Sequence, residues 1–198
     1  MSTDLYIVGI TGHLGSGKST ALSFFKKHGF YCIDSDKIVH DLYEPGNDGW
    51  RKIKDFFGEE FLTKGEGRVN RVKLGKVVFN NVPKLRILEK IIHPLVFNEI
   101  RKEIQHADSN KIAIEAIRFS GKKSGLLPDK VLWIESSLDT AYKRFSKGKK
   151  ISIEEYKNIL NLQEKPEKID IVVQNNGSIK DLEKKIDDIV QRLVPKMS

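Results

Sequence analysis

The run Gly12-His13-Leu14-Gly15-Ser16-Gly17-Lys18-Ser19 places two glycines five positions apart and follows the second with Lys and Ser. This is the spacing of a phosphate-binding loop. The glycines let the backbone curl so that successive N–H groups converge on phosphate oxygens, and the positive end of the next helix adds to the attraction. Lys18 is then the group that reaches the β- and γ-phosphates, and the Ser19 hydroxyl sits on Mg²⁺. A second constellation is Ile33-Asp34-Ser35-Asp36. In an open parallel sheet, residues just past a strand end face the same crevice as such a loop. The two carboxylates divide naturally, Asp34 as a helix cap or metal partner and Asp36 as the group that orients an acceptor hydroxyl and takes its proton late in the transfer. The competing use of this pair is N-capping of a helix from Lys37.

Positioning these groups requires a strand before the loop and a helix after it. Leu5–Ile10 is a near-continuous, β-branched run, as in a strand covered on both faces. A helix is predicted over Lys18–Lys27, with Leu22 and Phe25 on one face and Gly29 ending it. Phe30–Ile33, Ile112–Ile117, Val131–Glu135 and Ile169–Val173 read as the remaining strands. Strands alternating with amphipathic segments mean an α/β fold with a five-stranded parallel sheet flanked by helices. Residues 37–106 are helical in pattern but carry breaks at Pro45-Gly46, Gly58, Gly65–Gly67 and Pro94, with Trp50, Ile53, Phe56 and Phe57 at helical spacing. The stretch is too long for one crossover and reads as an inserted helical subdomain. Further helices are predicted over 138–146, 153–162 and 178–193, the last opening on Ser178 with Asp181 three residues on.

The chain has 198 residues, 39% hydrophobic and 31% charged, an ordinary globular composition. One cysteine, Cys32, leaves no internal disulfide and points to a reducing, cytoplasmic compartment. The apolar runs fall far short of the roughly 20 residues a membrane span needs. With 35 Lys+Arg against 27 Asp+Glu, the net charge is +8, which attracts polyanions. The lysines are spread along the chain, and no aromatic–basic interleaving for base stacking occurs, so nucleic acid is not the expected partner.

Beyond the loop and the Asp34–Asp36 segment, His40 and Leu42, Glu44-Pro45-Gly46, Phe56-Phe57-Gly58, Arg68 and Arg71, Val78-Phe79-Asn80, His93-Pro94, Gln163 and Asn175-Asn176-Gly177 follow one another in an order that resembles the dephospho-coenzyme A kinase family. The resemblance implies a P-loop kinase core (about 1–40 and 108–198), a helical substrate-binding insert (about 41–107) and a short lid (about 145–153). It implies ATP-dependent phosphorylation of the ribose 3′-hydroxyl of dephospho-coenzyme A, with ATP and Mg²⁺ as cofactors and small-molecule substrates as partners; the residues do not fix the oligomeric state, and a monomer is the expectation. His13, Leu14, Gly15, Ser16, Gly17, Lys18, Ser19 and Thr20 become the ATP-binding residues and Ser19 the metal contact. Asp36 matches the family's base. Asp34, Arg71 and His93 fall to the acceptor side, where Arg71 contacts substrate phosphates or braces the insert, and His93 contacts substrate or packs a helix kink.

Two segments depart from the family pattern. Glu115-Ala116-Ile117-Arg118-Phe119-Ser120 stands where a Pro-Leu-Leu-Phe-Glu-like segment is usual, so Ser120 replaces an acid. Its Arg118 resembles the acceptor-phosphate clamp of nucleoside-monophosphate kinases or is a surface charge. Glu115 reads as a buried structural carboxylate. The lid carries Lys147, Lys149 and Glu164-Lys165-Pro166-Glu167-Lys168 where arginines are usual, leaving Arg144 as the arginine for the transition state. The alternatives are a deoxynucleoside monophosphate kinase of the same architecture and a nucleotide-dependent binding module.

Overall fold

The computed structural model describes residues 5–116, 127–148, 150–163 and 165–193. Two compact units make up the chain, one from the residues up to Asp34 together with those from His106 on, the other Ser35–Gln105.

The first unit is a parallel sheet with helices. Its strands are β1 (Tyr6–Gly12), β2 (Tyr31–Asp34), β3 (Lys111–Glu115), β4 (Lys130–Glu135) and β5 (Ile171–Gln174), in the spatial order β2-β3-β1-β4-β5 with every pair parallel. Every residue of β1 after Tyr6 is buried, which a central strand between two covered faces demands. The helices are α1 (Lys18–Lys27) and, numbering through the whole chain, α6 (Leu138–Ser146), α7 (Ile153–Asn161) and α8 (Ile179–Leu193). Leu182, Ile186 and Val190 form one stripe along α8 and join Leu22, Phe24 and Phe25 of α1 and Val8, Ile10, Leu132 and Ile134 of the sheet in a single apolar cluster. The helix starts follow the sequence: Ser178 accepts from the Asp181 N–H at 3.2 Å while Asp181 accepts from the Ser178 N–H at 2.8 Å, and Ser152 and Glu155 form the same reciprocal cap on α7.

Strand boundaries differ from the sequence expectation by one or two residues, and the shift matters at β1 and β2. β1 runs through Thr11 and Gly12, and β2 ends on Asp34 instead of before it. Ladder bonds to β3 and β4 extend these strands past the apolar run.

The second unit holds α2 (Ser35–Leu42), α3 (Asp48–Phe57), α4 (Arg71–Phe79) and α5 (Val82–Gln105). Because α2 begins at Ser35, Asp36 lies inside its first turn and is not a cap for a helix from Lys37. Pro45-Gly46, Gly58 and Gly65–Gly67 fall between helices as expected, but Pro94 lies inside the 24-residue α5. A proline there removes one backbone hydrogen bond, and Ile92, Val96 and Ile100, buried at four-residue spacing around it, hold the helix together through packing. Of the expected apolar face of α3, Ile53 is fully buried whereas Phe56 is 66% exposed. Trp50 is half-buried, its indole N–H donating to the Gly67 carbonyl at 2.6 Å.

Asp170 closes the sheet at the start of β5. Its carboxylate accepts the Val131 N–H at 2.8 Å and sits 3.1 Å from the Lys168 ammonium. Burial favours the neutral acid, but the Val131 N–H and the Lys168 charge prevail and hold the carboxyl below its ordinary value. A carboxyl that titrates lower when folded contributes stability above the unfolded value, near 3.8, and loses it as pH falls through the folded one. Asp170→Ala should therefore cost about 1–3 kcal/mol at neutral pH. Urea unfolding of both forms should show that difference shrinking as the pH is taken below the unfolded value.

Candidate functional site

β1 delivers the chain to His13, and α1 takes it up again at Lys18, so five residues make the turn. Gly15 and Gly17 adopt φ of +75° and +100°, in the left-handed region. The space is as restrictive as the dihedrals: a Cβ on Gly15 would lie 2.1 Å from the Ala141 carbonyl oxygen, and one on Gly17 2.3 Å from the Asn175 amide nitrogen. The Ser16 N–H closes back on the His13 carbonyl at 3.1 Å. Carbonyls on the outer side of the curl are engaged by side chains from elsewhere. Leu14 O accepts from the Tyr156 hydroxyl at 2.7 Å, and Ser16 O from the Asn175 amide at 2.7 Å and the Ser136 hydroxyl at 3.3 Å. Lys18 is only 6% exposed, and its ammonium donates to the His13 carbonyl at 3.2 Å across the loop. Thr20 follows in α1.

Ser19, next in the helix, donates its hydroxyl to Glu115 Oε1 at 3.1 Å. Glu115 is the last residue of β3, almost fully buried, and lies in register with Asp34 at the end of β2. Two acids side by side on adjacent strands repel one another unless a cation lies close. A hydroxyl and two carboxylates form an all-oxygen donor set, the kind Mg²⁺ takes while keeping several waters. Among the described residues, no group of three or more His, Cys, Asp and Glu gathers as a metal cage. The Ser19 hydroxyl and the neighbouring carboxylates are the donor types a divalent cation beside a phosphate would take.

Beside the loop lies a cavity of about 370 Å³, lined among others by His13, Ser136, Ser137, Tyr156, Leu160 and Asn176. His13 Nδ1 is 3.3 Å from Gln163 Oε1, and its ring stands edge-on to Trp133 at 4.9 Å. Burial lowers its pKa; the Gln163 contact opposes this, while the Lys165 and Lys18 charges add to it, so the imidazole is neutral at pH 7. Arg144, on α6, donates to the Asn175 carbonyl at 2.9 Å, the Gly177 carbonyl at 3.2 Å and the Ser136 hydroxyl at 3.3 Å. Its guanidinium thus ties the β4 and β5 ends together beneath the loop.

The core unit brings together His13 through Thr20, Asp34, Arg144 and Glu115. Asp36, Arg71 and His93 belong to the helical unit. Asp36 is exposed in the first turn of α2, and Arg71 is exposed as the first residue of α4. Arg71 lies close enough to Tyr43 to oppose the rise, to about 12, that burial imposes on that phenol. His93, half-buried in α5, stands edge-on to Phe97 at 6.1 Å. Arg118 and Ser120 lie outside the described residues, as do Lys149 and Glu164.

Sequence reasoning left Glu115 as a structural carboxylate and did not single out Ser136 or Tyr156. An acid closing an otherwise apolar strand was the available signal for Glu115. Ser136 and Tyr156 had none, because the loop carbonyls they meet lie over a hundred residues away.

A family model for dephospho-CoA kinase matches residues 6–181. The dephospho-CoA kinase of Lactobacillus johnsonii is 38% identical over 197 residues, covering 95% of this chain and 98% of that protein. That of Carboxydothermus hydrogenoformans is 34% identical over 197 residues, covering 95% and 94%. Among solved structures, the dephospho-CoA kinase from Campylobacter jejuni superposes with a TM-score of 0.61 at 29% identity, covering 94% of this chain and 96% of that one. The phosphate loop, the parallel sheet beneath it and a match running through both units together show that this chain belongs to the dephospho-CoA kinase family.

Proposed function

We propose that this protein transfers the γ-phosphoryl group of ATP to the 3′-hydroxyl of the ribose in dephospho-coenzyme A, producing coenzyme A. The observation that carries this reading is the extent of the family match, from residue 6 to residue 181, which includes the whole helical unit as well as the nucleotide core. The acceptor side therefore belongs to the family along with the phosphate loop that many kinases share.

Phosphoryl transfer requires alignment and charge neutralisation more than covalent chemistry. The inward N–H groups of the loop hold the β- and γ-phosphate oxygens, and His13 through Thr20 form the ATP-binding stretch. Lys18, desolvated to 6% exposure, places its ammonium on the same oxygens. Ser19, with Glu115 and Asp34 behind it, would hold Mg²⁺, which would supply positive charge against the phosphate oxygens during transfer. Asp36 orients the ribose hydroxyl and accepts its proton, and the γ-phosphoryl passes to that oxygen with ADP leaving.

The helical insert, residues 41–107, is the acceptor-binding part. Arg71 is its phosphate contact, because a guanidinium on the first residue of a helix adds its charge to the helix's own positive end. A cation there is unfavourable for the helix alone, which speaks for a ligand over a bracing role. His93, half-buried on α5 and edge-on to Phe97, is the second acceptor-side residue of this reading. The lid is the connection around residues 145–153, and Arg144 at its base supports the nucleotide end. The chain works as a cytoplasmic monomer; among the described residues no helix is long and apolar enough to cross a membrane.

The direct test is ADP formation with Mg·ATP and dephospho-coenzyme A, a panel of deoxynucleoside monophosphates, or no acceptor. Turnover confined to dephospho-coenzyme A is expected, and turnover on a monophosphate alone would overturn the assignment. Asp36→Asn should lower kcat by about a hundredfold or more while leaving ATP binding intact, as equilibrium titration with the nucleotide would show. Gly15→Ala meets both an unfavourable dihedral and the Ala141 carbonyl, so nucleotide affinity should fall at least about tenfold. Ser19→Ala should raise the Mg²⁺ concentration needed for half-maximal rate, read from a metal titration after chelation with EDTA.

A further inference from the structure

The phosphate loop can work only if its peptide planes face the right way, and glycine makes them easy to turn over. The Leu14–Gly15 peptide precedes a residue with φ of +75°, and glycine occupies both signs of φ at similar cost. In a planar trans peptide the carbonyl and the following N–H point to opposite sides. Whatever holds the Leu14 carbonyl therefore aims the Gly15 N–H.

That holder is Tyr156. Its hydroxyl donates to Leu14 O at 2.7 Å, and its side chain is fully buried. The ring is wedged against Tyr142 and Phe145 of α6, with centroids 5.5 and 5.4 Å away, so the hydroxyl has little freedom to leave the loop. Tyr156 stands on α7, and α6 and α7 are the two helices joined by the proposed lid. The Ser16 carbonyl, one peptide further on, is held separately by Asn175 and Ser136.

Resting on the kinase reading above, we propose that Tyr156 is a positioning residue for ATP: by holding the Leu14 carbonyl outward it turns the Gly15 N–H into the curl of the loop, toward the polyphosphate. It touches no reacting atom. Its effect is on the phosphate end of the nucleotide and not on the base or the sugar.

Tyr156→Phe removes one hydroxyl and keeps the ring and its packing. Binding of ATP, of inorganic tripolyphosphate and of adenosine is measured by displacement of a fluorescent nucleotide, alongside the melting temperature and the KM values for ATP and dephospho-coenzyme A. The expected result is a loss of about five- to tenfold in affinity for ATP and for tripolyphosphate. The KM for ATP should rise in step, while adenosine affinity and the KM for dephospho-coenzyme A stay within twofold. ATP and tripolyphosphate affinities within twofold of the parent would overturn the proposal. So would an equal loss for adenosine with a lowered melting temperature, since that marks a general collapse of the site. A parent protein that binds tripolyphosphate but does not phosphorylate dephospho-coenzyme A would overturn the kinase reading, while the selective loss in the variant would still sustain the role of Tyr156.

Discussion

Aiming several backbone N–H groups at one point in space leaves their partner carbonyls facing the other way, into the protein. Buried carbonyls without partners cost on the order of 1–3 kcal/mol each, so a phosphate loop is stable only if the surrounding fold supplies donors on its outer side. In this chain the donors are the hydroxyls of Tyr156 and Ser136 and the amide of Asn175. They come from α7 and from the ends of β4 and β5. The convergence of those elements on five residues is the condition the rest of the core unit satisfies.

The same condition explains where this protein places its buried polar groups. In the core unit, Thr11, Ser16, Lys18, Glu115 and Asn175 are buried, and all sit at or just past the carboxyl ends of strands β1, β3 and β5, in the loop, or on the first residue of α1. Below them the sheet is apolar, with Val8, Ile10, Ile114 and Leu132 wholly buried. Burying polar groups is unfavourable unless they find partners. Here the partners come from the loop and the strand ends around them, as in the Asn175–Ser16 and Ser19–Glu115 contacts and in the bond from Arg144 to the Asn175 carbonyl. Arg144 thus joins the groups that support the loop, through its bonds to Asn175, Gly177 and Ser136.

The helical unit solves a different problem. Its four helices bury Ile38, Leu42, Ile53, Leu74, Val78, Ile92, Val96 and Ile100, yet Phe56 and Val72 stay largely exposed. Packing strong enough to carry a proline through the middle of α5 shows that tertiary contacts, not local propensity, decide the length of that helix.

What the sequence determined by itself is what depends on near neighbours. The loop, its glycines, Lys18 and Ser19 were legible because a fixed spacing of residue types suffices to build a phosphate cradle. α1 and α6 fall on their expected bounds, and Ser178 caps α8 through a partner three residues away. Strand ends were less legible, since ladder bonds to remote strands carried β1 on to Gly12 and β2 on to Asp34. Only the tertiary structure decided the order β2-β3-β1-β4-β5, and with it that Glu115 meets Ser19 across 96 positions, Asn175 meets Ser16 across 159 and Tyr156 meets Leu14 across 142. Local patterning records which side chain is apolar or can accept a proton. The partner each buried polar atom finds is a property of the folded arrangement, and no periodicity in the chain encodes it.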